Sequence, residues 1–382
     1  MFINQQNKIQ VQYYEKMLKI IGSLSKLSSD SQEPFLYYRV AENLFCKSFN
    51  AENLSRSDTS ADASIGNVGF GLKTFLKRNG RGMEKVAEFN TSSSKFRNLP
   101  IDEQVQEISR LRNERIETTK RIYGLEEIIY HCVTRSSGVM EVFESPMNTI
   151  DKANLKIKTF SDKSISFTDD KEEYSFNISK STLSKRFKSE NVLMRIPVEI
   201  VEDPFTVLEK LFEDTPTEIK TLLFSPIKVH EHIFLPLYST RSGQDQKEVP
   251  EKSGLNQWNA AGRERNYDEV YIPIPAWIHR INEGFFPKRD TPFSLKLPNK
   301  KIIEVKVCQE GSKALMSNPN KALGEWILRD VLNLKEGELL TYKKLEDIGL
   351  DSVIIYKISD TEYEIDFAQI GSYESFEEVN NV

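Results

Sequence analysis

Apolar residues recur at helical spacing at the start of the chain: between residues 5 and 27, Tyr14, Met17, Leu18, Ile21 and Leu24 fall on one stripe. A polar break, SSDSQEP, follows. Phe35 to Phe49 is helical again, with Tyr38, Ala41, Phe45 and Phe49 on a common side. Ser55 to Ser64 reads as a loop, and Ile65 to Phe75 as a glycine-containing strand. A long charged helix is predicted from Ile101 to about Gly124. The runs EEIIYHCVTR, GVMEVFES, LKIKTF, SISFTD and EYSFNIS then alternate like antiparallel strands.

Further on, Val192 to Leu237 holds two short strands and an amphipathic helix near Val207–Phe212. Ser239 to Ser253 is polar and almost without apolar residues, the pattern of a linker. From Glu269 to Phe367 short strands alternate with Pro and Gly turns, with one helix near Leu323–Leu332. The expected organisation is α+β (mixed): a helix-and-sheet domain over 1–190, a connecting region over 191–250, and a mostly β domain over 251–382.

Composition narrows the class without naming a chemistry. Hydrophobic residues make up 38% and charged residues 29% of 382, ordinary values for a soluble protein. No apolar run approaches the ~20 residues of a membrane span, and the polar start MFINQQNKIQ is no secretory signal. Three scattered cysteines argue against a disulfide framework, so a reducing cytoplasm is expected. The net charge of −5 excludes a wholly basic, histone-like DNA binder but leaves room for local basic clusters. Two stand out, Lys180–Lys188 (KSTLSKRFK) and Arg263–Arg265.

The stretch DASIGNVGFGLKTF, residues 62–75, invites two readings. A phosphate-cradling loop would need Lys directly after the second glycine of Gly66-x4-Gly71, but Leu72 intervenes, and KRNGRG follows where a helix should begin. The other reading is a strand that starts near an acid and carries a lysine, a pairing suited to metal-dependent phosphodiester cleavage. Asp62 and Lys73 resemble the acid and lysine of the PD-(D/E)xK nucleases, with Gly71 standing where that family has its second acid. NgoMIV-like members move this acid over a dozen residues past the lysine. Fourteen residues lie between Lys73 and Glu88, which is expected on a following helix. The resemblance implies Asp62 and Glu88 as Mg²⁺ ligands, Lys73 as the group that polarises water, and Glu42 on the preceding helix as a supporting acid.

From Gly254 onward the chain resembles the C-terminal DNA-recognition domain of NgoFVII- and BfiI-type restriction endonucleases, a β-pseudobarrel related to the plant B3 domain and to the N-terminal domain of EcoRII. The features that carry it are an Arg/Asn-rich segment before EVYIPIP, the GFFP turn, SKALMSNPNKALG and a closing YEIDF strand. Those relatives cut with a phospholipase-D-like domain bearing HxK motifs. None occurs here: the four histidines are His131, His230, His232 and His279.

Reading bases in the major groove calls for Arg on guanine and Asn or Gln on adenine. One arm would carry Asn256, Gln257, Asn259, Arg263, Arg265 and Asn266, with Asp268 accepting from cytosine and Trp258 bracing the arm or touching a thymine methyl. The second arm would carry Lys313, Ser317, Asn318, Asn320 and Lys321. Arg280, Lys288 and Arg289 suit phosphate contacts, and Arg112 or Arg115 of the charged helix could do the same from an otherwise solvated face.

His230-x-His232 lacks further ligands for zinc. His131 and Cys132, adjacent on a strand, face opposite sides and cannot pair, so core packing is expected for Cys132. The combined expectation is a Mg²⁺-dependent, restriction-type endonuclease acting on double-stranded DNA as a homodimer, with a methyltransferase gene as neighbour. A non-catalytic DNA-binding regulator and a modification-dependent nuclease remain open beside it.

Overall fold

Asn7 opens the first helix by accepting the Ile9 N–H on its side chain, satisfying a donor that the first helical turn cannot. The computed structural model describes residues 1–54, 59–77, 82–216, 219, 230–240 and 246–380. They fall into two compact units. The first takes Met1–Arg56, Ser60–Arg110 and Glu126–Lys228; the second takes Leu111–Leu125 and Val229–Val382, with Ser57–Thr59.

In the first unit, α1 (Lys8–Ser23) and α2 (Tyr38–Phe49) precede β1 (Glu52–Asn53), β2 (Ala63–Ile65), β3 (Val68–Leu76) and β4 (Met83–Glu88). α3 (Ile101–Tyr123) belongs to this unit only up to Arg110, and after it come β5 (Glu127–Ser136), β6 (Val139–Pro146), β7 (Lys156–Phe160), β8 (Ser164–Thr168), β9 (Glu173–Asn177), β10 (Thr182–Arg186), β11 (Met194–Pro197) and α4 (Pro204–Glu213).

The strands predicted as one antiparallel set divide into two sheets. One has the order β1-β2-β3-β5-β6-β11, an antiparallel meander whose third strand lies parallel to β5; the other has the order β4-β10-β9-β8-β7. The two apolar faces of the first sheet cause the division. Phe70, Leu72, Val133 and Val142 pack under α1 and α2 with Tyr14, Leu18, Phe45 and Phe49. From the other face, Phe75 and Tyr130 meet Phe187, which follows β10, at centroid distances of 5.7 and 4.9 Å.

The phosphate-loop reading is excluded by this geometry. Gly66, at φ +60°, sits in the two-residue turn joining β2 to β3, where a side chain would be strained, and among the described residues no helix follows β3 before β4.

The second unit contains β12 (His232–Pro236), β13 (Ser239–Thr240), β14 (Lys247–Glu248), β15 (Ile272–Pro273), β16 (Phe293–Lys296), β17 (Ile302–Cys308), β18 (Ala314–Ser317), β19 (Leu350–Lys357) and β20 (Glu362–Gln369). Seven of these form one sheet, β12-β19-β20-β16-β17-β18-β15. All neighbours are antiparallel except β16 and β20. Its end strands β12 and β15 approach each other, so the sheet is a nearly closed barrel. Ile233, Leu235, Val305, Val307, Leu315, Val353, Ile355 and Phe367 fill the interior, and Trp326 closes it against Phe367 at 5.3 Å.

Two expectations change here. The polar stretch 239–253 carries the β13–β14 hairpin and the buried Val249, while residues 241–245 lie outside the described part. Its anchor is electrostatic, which an apolar count misses. Lys247 pairs with Glu374 and, at 3.0 Å, with the fully buried Asp351, and lies 4.4 Å from the Tyr238 ring. The charged face of α3 is likewise not uniformly solvated. Arg112 is 4% exposed, Arg121 Nε donates to Val331 O at 2.7 Å, and Lys344 reaches Glu114 at 3.1 Å.

Candidate nucleic-acid interface and the Asp62–Lys73 hairpin

The hairpin β2–β3 is irregular where the sequence placed its acid. Ala63 is the register partner of Phe70, yet the Asp62 N–H also donates to Phe70 O, at 2.7 Å. Two residues thus oppose one, a bulge that breaks the ladder. Asp62 Oδ2 then accepts the Leu72 N–H at 2.7 Å, so the carboxylate is fixed beside the residue preceding Lys73. On the α2 side, the Cys46 thiol is raised to about 11, first by burial and then by the charges of Glu42 and Asp62. Glu42 is 4% exposed and bonded to Arg39 at 2.9 Å.

Lys73 is the register partner of Cys132 on the parallel neighbour β5, so the two side chains share a face. Burial pushes the Cys132 thiol up, Lys73 and Lys185 pull it down, and Glu84 and Glu144 raise it. Lys185, 4% exposed, bonds Glu172 at 2.9 Å and lies 5.3 Å from the Tyr130 ring. Glu84 and Lys185 are cross-strand partners of β4 and β10. Cys132 is fully buried, in agreement with its expected packing role. His131 faces the other way, taking Tyr14 Oη at 3.0 Å and Glu144 at 3.2 Å.

Gly71 lies closely packed. A Cβ there would come within 2.5 Å of Met147 Cε and 3.3 Å of Tyr130 Cδ1. Glu88 corrects an expectation: it ends a strand, not a helix, and belongs to the second sheet instead of the one that carries Asp62 and Lys73. The distant β10 supplies the ladder that makes residues 83–88 extended, which no local pattern reveals. Glu88 bonds Lys85 and the Asn90 side chain. Among the described residues, no three His, Cys, Asp or Glu side chains are grouped to hold a metal ion.

The barrel unit sorts the expected base readers by burial. Asn256 is fully buried: its amide donates to Pro250 O (3.1 Å) and Leu340 O (2.9 Å), and its oxygen accepts the Leu340 N–H at 2.9 Å. It ties two loops together and is not available to a base. Asp268, expected to meet cytosine, is instead bonded to Arg329 Nε at 2.6 Å. Ser317 is fully buried and accepts the Leu323 N–H at 2.9 Å, opening the helix behind it. Arg265 is spent on its own loop, donating to Ala260 O at 2.7 Å.

Other residues of the two arms stay at the surface. Arg263, Asn259, Asn266, Lys313, Asn318, Asn320 and Lys321 are exposed, and Gln257 and Trp258 are half-buried. Trp258 meets Tyr267 edge-on at 5.3 Å. Asn318 bonds Glu304, and Lys321 pairs with Glu325 at 2.9 Å. Arg280, Lys288 and Arg289 are exposed as well.

Arg329 and Gly324 were missed. Arg329 sits in a π-helical turn, Glu325–Val331, and also donates to Tyr267 O, Leu334 O and Lys335 O at 2.7–3.0 Å. A charged residue inside the apolar run WILRDVL was the available signal. A Cβ on Gly324 would lie 2.0 Å from Asp268 O, so this backbone contact admits only glycine.

Residues 231–359 match the NgoFVII C-terminal B3-like DNA-binding domain. The match begins with β12 and ends before β20, so it takes in strands on both sides of the two arms. No curated protein matches the chain. Among the described residues no helix is long and apolar enough to cross a membrane.

Proposed function

We propose that this protein is a restriction-type DNA endonuclease in which the B3-like barrel reads a short sequence and the first unit hydrolyses phosphodiester bonds. The single observation that carries the DNA-binding half is the match over residues 231–359 on a nearly closed seven-stranded barrel. The exposed Arg263, Asn320 and Lys321, with the half-buried Gln257, supply donors suited to base edges. Arg280, Lys288 and Arg289 suit phosphate, which positions without specifying.

The hydrolytic half rests on the strand arrangement: a three-strand meander, then β4 of the other sheet, a helix and a strand parallel to the third, with Asp62 at the bulge and Lys73 on the third strand. Asp62 and Glu42 are the hard carboxylates proposed to hold Mg²⁺, which needs only one or two carboxylates beside water and phosphate. Bound there, Mg²⁺ would neutralise charge developing on the phosphate. Lys73 orients the attacking water, and the further acid comes from β4, which carries Glu88 and also Glu84, the cross-strand partner of the buried Lys185. Cutting both strands of a palindromic site calls for two copies of the chain.

The test is incubation of plasmid and genomic DNA with Mg²⁺ or with EDTA, beside a gel shift. Binding with Mg²⁺-dependent, site-limited cleavage is expected. Binding without nicking under any condition would make the protein a regulator, and cleavage confined to methylated DNA would make it modification-dependent.

A further inference from the structure

The two arginines of the first arm are equally spaced candidates in the sequence, but the structure gives them different work. Arg265 points inward, with its side chain 15% exposed. Its Nη1 donates to Ala260 O at 2.7 Å and lies 3.4 Å from Ala261 O and Arg263 O, so it holds the 260–265 arch in shape. Gly262, at φ +108° with nothing within 4 Å of a built Cβ, forms the open crest of that arch. Arg263 points outward, with its side chain 55% exposed. Both terminal nitrogens of its guanidinium make one bond: Nη2 donates to Glu269 Oε1, and Nη1 donates to Glu264 O at 3.2 Å.

Glu269 is only 5% exposed, and its carboxylate also faces Arg265 Nε at 3.7 Å. Its backbone is pinned by the Asn266 carbonyl at 3.0 Å, next to Asp268, which Arg329 holds. A buried carboxylate on a fixed backbone is thus braced against the one exposed arginine of the arch. Since a guanidinium has five donors, two bonds fix its plane and leave others pointing outward.

Resting on the DNA-reading role of the barrel, we propose that Glu269 is a positioning residue that presents Arg263 as a pre-oriented fork to the O6 and N7 of one guanine, while Arg265 only shapes the loop. Without the brace, the long Arg263 side chain must lose its rotamer freedom on binding. It could then turn to a phosphate instead of the base, keeping affinity and losing selectivity.

The experiment is selection of binding sites from a randomised duplex pool by the full chain and by the variants R263A, R263K, E269A, E269Q and R265A. Discrimination at each position is then measured by competition at two salt concentrations, with tryptophan fluorescence checking that each variant is folded. Wild type should select guanine at one position, and R263A should lose roughly tenfold or more of that preference. E269A should lose a similar factor at the same position only, with affinity for unrelated DNA equal to or above wild type. E269Q, which keeps an acceptor, should fall between, and R263K should behave like R263A because an ammonium lacks the fork. R265A should weaken all sequences alike.

Retention of the full guanine preference by folded E269A or E269Q would overturn the role of Glu269, as would an equal loss on every sequence. Wild type selecting no sequence would instead overturn the DNA-reading assignment itself.

Discussion

Replacing Asn256 by alanine separates a structural residue from a base reader. The side chain makes three hydrogen bonds to backbone groups, at 2.9–3.1 Å, from a fully buried position. Alanine would strand the Leu340 N–H and two carbonyls away from water. At about 1 kcal/mol net for each bond, and more where a buried group finds no substitute, the loss is on the order of 3 kcal/mol. All three tryptophans, Trp258, Trp277 and Trp326, lie in the barrel unit, so their fluorescence reports on that unit within the full chain. With a urea dependence of ~1–3 kcal/mol/M, the Asn256→Ala midpoint should fall by about 1–3 M. DNA affinity of the fraction still folded should be unchanged in its sequence preference. An unchanged midpoint with relaxed preference at one base would refute the reasoning and return Asn256 to the reading surface.

Other consequences can be checked with the same signal. Gly324→Ala should destabilise the barrel unit by about 3 kcal/mol or more, because the new Cβ meets backbone 2.0 Å away and no side chain can yield; a midpoint within experimental error of wild type would contradict it. Lys247 carries a pH dependence. Burial alone would lower its pKa, but Glu374 and Asp351 outweigh it and hold the ammonium above the ordinary value of 10.5. A lysine raised in the folded state stabilises fully below its unfolded value and loses that contribution as pH rises through the folded one. Barrel stability should therefore decline above about pH 10.5 in wild type, and Lys247→Met should be less stable at neutral pH and lack that alkaline step.

The sequence was legible where periodicity was local and strong. Ile101 to Tyr123 is one helix as expected, and Val105, Ile108, Leu111, Ile116 and Ile122 form its buried side. Each of the five alternating runs after it is a strand. Partner choice was not legible: β3 pairs in parallel with β5 across the intervening α3, and β4 pairs with β10 nearly a hundred residues on. That distant ladder is why Glu88 left both its expected helix and the sheet of Asp62.

Among the expected readers, residue type alone could not separate Arg263 from Arg265 or Asn259 from Asn256. The difference is which side of a loop faces its own carbonyls. Asp268 and Ser317 have the right chemistry for bases, but Arg329 and the Leu323 N–H reach them first.

Cleavage by a Lys73→Ala protein is the most direct test of the catalytic assignment. Wild type and variant, both shown to be folded and to bind DNA, are compared for strand scission of plasmid DNA in Mg²⁺. The variant should bind the same sequence with unchanged affinity and cut at least about a hundredfold more slowly, since the lost charge acts in the transition state. Scission by Lys73→Ala at the wild-type rate would contradict the assignment of the β2–β3 hairpin as the hydrolytic centre.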